Sequence, residues 1–220
     1  MKLAVAAANL DEVQALITFL QNQAQQLNPF HFRLKNLEIQ ILITGSGILR
    51  TTYGLTRYFQ HQSVDLFIHS GLAIPISEDL NEAKVYQVSD DIFFNEKRDK
   101  NPLNKLVGSA GNKEFPFDNG KLKNPHSGRF LPLAVSITNE SGQIDEDSIQ
   151  SLKGENDTCL LLTQDNSAVF FTAILEKINF FSIRAALASK DHEDKFEENK
   201  KEAITLLNST LIDIILTLTE

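Results

Sequence analysis

Short apolar runs recur along the chain, and most lead into segments whose apolar positions fall three and four apart. The first run, Lys2–Ala8, is apolar at successive positions, the pattern of a strand buried on both faces. Asn9 with Glu12 three residues on is a capping-box pattern, and Val13, Leu16, Ile17 and Leu20 continue it as a helical stripe. Strands are expected at His31–Leu34 and Leu37–Thr44, then Gly45-Ser46-Gly47 and a helix to about Phe59. Asp65–His69 is a further buried strand ending in Ser70-Gly71, and Val85–Phe94 alternates as another. Asn95–Phe130, rich in Asn, Lys, Gly and Pro, reads as a long loop of the kind that is usually functional or mobile. Beyond it the pattern gives a strand at Leu131–Thr138, a short helix at Asp145–Leu152 and a strand at Thr158–Thr163. A helix at Ser167–Lys177, a strand at Phe180–Leu187 and a long helix at Glu193–Leu218 complete the chain. Strands alternating with helices predict an α/β sheet covered by helices on both faces, and 220 residues suit one domain over residues 1–220.

Composition narrows the partners. A net charge of -8, with basic residues scattered, argues against a nucleic-acid backbone as the main partner. The apolar start is too short for a signal peptide, and the Ala203–Leu218 segment is interrupted by Asn208, Ser209, Thr210 and Asp213, so no membrane span is expected. A lone cysteine, Cys159, beside Leu160–Leu162, reads as a core residue in a reducing compartment, and a cytoplasmic protein is expected.

Ligands of such sheets bind beyond the carboxyl ends of the strands. That points to five turns: Asn9–Glu12, Gly45–Gly47, Ser70–Ala73, Thr163–Ser167 and Ala188–Lys190. None carries a phosphate-binding or dinucleotide fingerprint, and there is no G-x-S-x-G elbow. His31, His61, His69, His126 and His192 have no metal-ligand spacing, so neither metal nor cofactor is expected.

The ordered set of turns resembles a family. Met1–Val13 (MKLAVAAANLDEV), Thr44-Gly45-Ser46-Gly47-Ile48, Asp65–Ala73 (DLFIHSGLA) and Ile183-Arg184-Ala185 are similar, in order, to the purine nucleoside phosphorylase and nucleosidase superfamily. Glu114–Gly120, Asn124-Pro125 and Leu131-Pro132 resemble its futalosine hydrolase branch, a menaquinone-pathway nucleosidase. The resemblance implies a three-layer fold with a mixed central sheet, nucleoside phosphorylase-like, in a homo-oligomer. It implies hydrolysis of a nucleoside N-glycosidic bond through an oxocarbenium-like transition state. Glu12 then stands at the water-orienting glutamate, Ser46, Gly47 and Gly71 in substrate-binding turns, and Asn166 at the ribose-binding glutamate.

Three positions depart from the pattern. Asn166 lacks the charge, Ile74-Pro75 replaces a pair of small residues, and Ala188 stands where the acid that protonates the leaving base should be. Asp191, just downstream, is the candidate replacement acid. Each candidate has a structural alternative: Glu12 as half of a capping box, Asn166 as a polar residue opening a helix, Asp191 as an N-cap. Phe170-Phe171 and Phe180-Phe181 could line a base pocket or fill the core. The sequence therefore leaves two expectations: an active nucleosidase, or an impaired relative that binds a small ligand or partner without turnover.

Overall fold

Leu3 to Ala7 are all removed from solvent, which requires that the first strand be flanked by other strands and covered on both faces. The computed structural model shows how; it describes residues 1–76, 82–94, 115–118, 120–126, 128, 130–142, 144–155, 159–188 and 195–220. In it β1 (Lys2–Ala7) pairs in parallel with β4 (Leu37–Ile43) on one side and with β5 (Leu66–Pro75) on the other. Two short antiparallel strands, β3 (His31–Leu34) and β2 (Gln25–Asn28), extend the sheet outward from β4.

β5 is the pivot of the architecture. Its first half lies beside β1, and its far end, Ile74 and Pro75, pairs antiparallel with Leu162 and Leu161 of β10 (Cys159–Thr163). β10 runs parallel to β9 (Leu133–Thr138), and β9 runs parallel to β6 (Lys84–Phe93). β6 pairs antiparallel with β11 (Phe180–Ala186), and β11 returns to β5 in parallel. Five strands thus close a ring on the edge of an open sheet. Its interior at one end is a small apolar layer with one residue from each strand: Ala73, Tyr86, Ala134, Leu161 and Ala186.

Helices cover both faces of the sheet, as the alternation of strands and helices predicts. On one face α1 (Gln14–Gln23) and the C-terminal helix, Phe196–Leu218, bury Leu16, Ile17, Leu20, Leu207, Leu211 and Ile215 against β1, β4 and β11. On the other, α2 (Ile48–His61) and the helix Asn166–Leu175 bury Leu55, Val169 and Phe170 against Ala4, Ala6 and Phe67. The remaining helix, Glu146–Glu155, precedes β10. In chain order these last three helices are α3 (Glu146–Glu155), α4 (Asn166–Leu175) and α5 (Phe196–Leu218). The buried stripe of α5, Ala203, Leu207, Leu211 and Ile215, recurs every fourth residue, so one face packs and the Lys/Glu-rich face is left to water.

Several expectations change. β2 is a strand although all four of its residues are exposed, because it is an outer strand held only by β3. Ser70–Ala73 is not a turn: β5 runs straight through it, held by β11 from Phe67 to Ala73. Within Asn95–Phe130 the described part holds a hairpin, β7 (Phe117–Asp118) and β8 (Lys121–Lys123), that pairs with β6, while 95–114 lies outside the described residues. Phe170 and Phe180 are core, their rings meeting edge to face at 4.9 Å, whereas Phe171 is partly exposed. Among the described residues no helix is long and apolar enough to cross a membrane.

Candidate active site

The turn after β1 fulfils the capping-box expectation in a modified form. Glu12 reaches back, and its Oε2 accepts from the backbone N–H groups of Ala8 at 3.1 Å and Asn9 at 3.3 Å. The element it caps is a 3-10 turn, Leu10–Glu12, and α1 begins only at Gln14. Asn208 of α5 pins the same segment from behind: its side chain accepts from Leu16 N–H at 2.8 Å and donates to the Glu12 carbonyl at 2.9 Å. The Glu12 carboxylate is therefore placed by both neighbours in sequence and a helix almost two hundred positions away.

Strand register brings the other groups to it. β11 lies against β5 with Ser182 opposite His69 and Arg184 opposite Gly71, and β5 lies against β1 with His69 opposite Ala6. Arg184 consequently extends over Gly71, its Nη1 in the place a Cβ at position 71 would take, with Glu12 Oε2 at 3.9 Å from that same point. Gly71 is required here for the guanidinium, since any side chain would displace it.

Arg184 Nη2 faces three acceptors: His69 Nδ1 at 2.8 Å, Asp165 Oδ1 at 2.9 Å and Asn166 Oδ1 at 3.0 Å. Because guanidinium only donates, His69 Nδ1 must accept, which puts the ring proton on Nε2, 3.7 Å from Asp165 Oδ2. Burial, reinforced by the Arg184 charge, lowers the His69 pKa to about 3, so the imidazole is neutral. Burial pulls Asp165 upward, but the Arg184 guanidinium, by its charge and its hydrogen bond, leads the opposing effects and the carboxyl is held below its ordinary value. For Glu12 the balance is reversed: burial dominates, Arg184 offsets it in part, and the pKa is raised.

Asn166 opens α4 and is wholly buried, with both ends of its amide bonded inside the protein. Its Oδ1 accepts from Ser182 Oγ at 2.6 Å as well as from Arg184, and its Nδ2 donates to Ser136 Oγ at 2.5 Å. Beyond Ser136 lies a second buried carboxylate, Asp91, which accepts from the hydroxyls of Ser136, Ser167 and, at 2.8 Å, Thr138. Glu12 alone in this set keeps contact with the surface; His69, Asn166, Arg184 and Asp165 expose 0–4%.

The candidates from sequence divide accordingly. Glu12, Gly71 and Asn166 converge on Arg184. Ser46 is exposed in the turn before α2, where Gly47 adopts φ 86° and Ile48 N–H donates to Glu140 Oε1 at 3.2 Å, so that turn faces the loop after β9. Asp191 lies outside the described residues. Ala188 ends the segment after β11, and Ile74-Pro75 serves as the junction with β10. His69, Asp165 and Asp91 were not singled out, since no spacing links them to Glu12 or to each other. Among the described residues no His, Cys, Asp and Glu cluster could hold a metal ion.

The sequence matches no protein-family model and no curated protein. Solved structures are similar over nearly the whole chain. The 5'-methylthioadenosine nucleosidase of Arabidopsis thaliana is 18% identical with a TM-score of 0.73, covering 98% of this chain and 95% of that one. The 5'-methylthioadenosine/S-adenosylhomocysteine nucleosidase of Neisseria meningitidis, in complex with methylthio-immucillin-A, is 13% identical with a TM-score of 0.73, covering 97% and 98%. The enzyme of Colwellia psychrerythraea, in complex with adenine, is 15% identical with a TM-score of 0.66, covering 96% and 93%. At such identities it is the architecture that is shared: the chain has the fold of the methylthioadenosine/S-adenosylhomocysteine nucleosidases, members of the purine nucleoside phosphorylase and nucleosidase superfamily.

Proposed function

We propose that this protein hydrolyses the N-glycosidic bond of a purine nucleoside, with futalosine the first substrate to test and Glu12 as the working carboxylate. The observation that carries the reading is the placement of Glu12: part-exposed, at the carboxyl end of β1, oriented by two N–H groups and flanked by Arg184. In this reading Glu12 takes a proton from the water that attacks the anomeric carbon. Its pKa, raised by burial, makes it a better base than an ordinary exposed carboxylate, and Arg184 offsets part of that rise. The C–N bond breaks as the C–O bond forms, and the electron pair leaves with the base. Ala188 has no proton to give that base, so the donor is assigned to Asp191, and Gly45–Gly47 is assigned to substrate contact. Nucleoside analogues and adenine in the neighbouring structures support a ligand of this class.

Asn166 supports a second reading, a protein that binds nucleosides without turning them over. Its oxygen already serves Ser182 and Arg184, one N–H serves Ser136, and the side chain is wholly buried, so it is not presented to a ribose diol. One set of measurements separates the two. Purified protein is incubated with futalosine, methylthioadenosine and S-adenosylhomocysteine, and released base is followed by chromatography. Base release that falls by about 10²–10⁴ in Glu12→Gln, with an unchanged melting temperature, is the result expected of the hydrolase. Gln retains an oxygen to accept from Ala8 and Asn9, so the fold should not suffer. No release from any of the three, with calorimetric binding of nucleoside or adenine, overturns the hydrolase in favour of the binder.

A further inference from the structure

We infer that Asp91 is a positioning residue for Glu12 and Arg184, acting through Ser136 and Asn166. An ionised carboxylate only accepts, so the single hydroxyl proton of Ser136 is directed to Asp91. Ser136 Oγ can then only accept from its other neighbour, which obliges Asn166 to turn Nδ2 toward it. The opposite end of that amide, Oδ1, is thereby presented to Ser182 and Arg184. The chain of bonds runs in one direction, from the Arg184 guanidinium, which can only donate, to the Asp91 carboxylate, which can only accept, and Asp91 anchors its far end.

The fold is built to aim this carboxylate. β6 carries a bulge between Val88 and Asp90, which shifts its register on β9 so that Asp91 lies opposite Ser136. Asp91 is completely buried at the start of α4, where Ser167 donates its hydroxyl to it and gives its backbone N–H to Thr138 at 2.8 Å. Burial raises the Asp91 pKa to about 6, held from going higher by the hydroxyls of Ser136, Ser167 and Thr138 and by Arg184. It is thus ionised at neutral pH, the state the directed chain requires.

If Asp91 or Ser136 no longer anchors Nδ2, the Asn166 amide is held only at its Oδ1 end and pivots away from its place beside Arg184. The guanidinium, still bonded to Asp165 but with a looser third acceptor, swings about that bond and brings Nη1, over Gly71, closer to Glu12. This inference rests on the reading of Glu12 as the working carboxylate, but its readout needs no substrate. The titration of the Glu12 side-chain carboxyl is followed by carbon NMR in the wild type, Asp91→Asn and Ser136→Ala. The midpoint is expected to fall by roughly one pH unit in each variant, as for a cation drawn closer. The double variant should show no further fall, because both changes cut the same chain. Ser136→Ala removes a single oxygen and keeps the test open where Asp91→Asn does not fold. An unmoved Glu12 midpoint in folded Ser136→Ala overturns the inference, as does an additive double variant. A shifted midpoint in a protein that hydrolyses no nucleoside upholds the positioning role and sinks only the hydrolase reading.

Discussion

Replacing Arg184 by methionine is expected to destabilise the protein by about 3–5 kcal/mol and to raise the titration midpoints of both Glu12 and Asp165. The guanidinium is 3% exposed and is the cation bonded to Asp165, itself almost wholly buried. Methionine fills much of the same volume, so the loss would come from the charge left behind rather than from a cavity. His69 Nδ1, Asp165 Oδ1 and Asn166 Oδ1 would lose the guanidinium together, and of these Asn166 keeps Ser182 as a donor. Urea denaturation at neutral pH measures the loss. A change below about 1 kcal/mol, the size of a surface ion pair, would show that the cluster does not depend on this charge. Lysine should restore little, since one ammonium cannot reproduce a guanidinium that spans Nη2 to the three acceptors and Nη1 over Gly71.

The second large effect concerns acid stability, in which two buried groups oppose each other. His69 titrates at about 3 in the folded protein against an ordinary 6.5. Between those values the unfolded chain binds the extra proton, so the stability due to a neutral His69 is complete above about 6.5 and is lost as the pH falls toward 3. Asp91 has the opposite sign. Its folded value is about 6 against an ordinary 3.8, so the folded state binds the extra proton in that window and gains stability as the pH falls through it. The two contributions cancel in part between about 6 and 3.8, and below 3.8 the loss from His69 is joined by that from Asp165, whose pKa is lowered. The wild type should therefore lose stability slowly at first on acidification and steeply afterwards. Asp91→Asn should steepen the fall between 6 and 3.8, and His69→Gln should turn it into a rise. Denaturation series across pH give the slopes; identical slopes in wild type and Asp91→Asn would contradict the account.

How much of this could be read beforehand depended on whether the signal was local. Lys2–Ala8 and Leu37–Thr44 announced their strands because burial on both faces, or on one, leaves a pattern within a few residues. Gln25–Asn28 left none, since a fully exposed outer strand is held by backbone bonds that any sequence can make. Ser70-Gly71 misled in the other direction: the glycine is there to admit the Arg184 side chain within a strand, not to turn the chain. Glu12 was legible because a capping box has a fixed spacing, and Asn166 because of its place in an ordered set of motifs. The roles of His69, Asp165 and Asp91 come from register between distant strands, and no spacing along the chain encodes that. Arg184 shows the difference well: its motif was visible, while its partners became visible only once β5 and β11 lay side by side.

The closed ring of β5, β10, β9, β6 and β11 has a consequence for how the protein comes into being. Its last seam joins β5 to β11, and the contact across it between His69 and Arg184 links positions 115 apart. Loop-closure entropy opposes so distant a meeting until much of the remaining structure is in place, which puts this seam among the late events of folding. A nascent chain that has not yet released β11 from the ribosome lacks both the guanidinium beside Glu12 and the Asn208 contacts behind it. Any catalytic competence that needs this guanidinium would therefore be absent from a fragment that stops before β11.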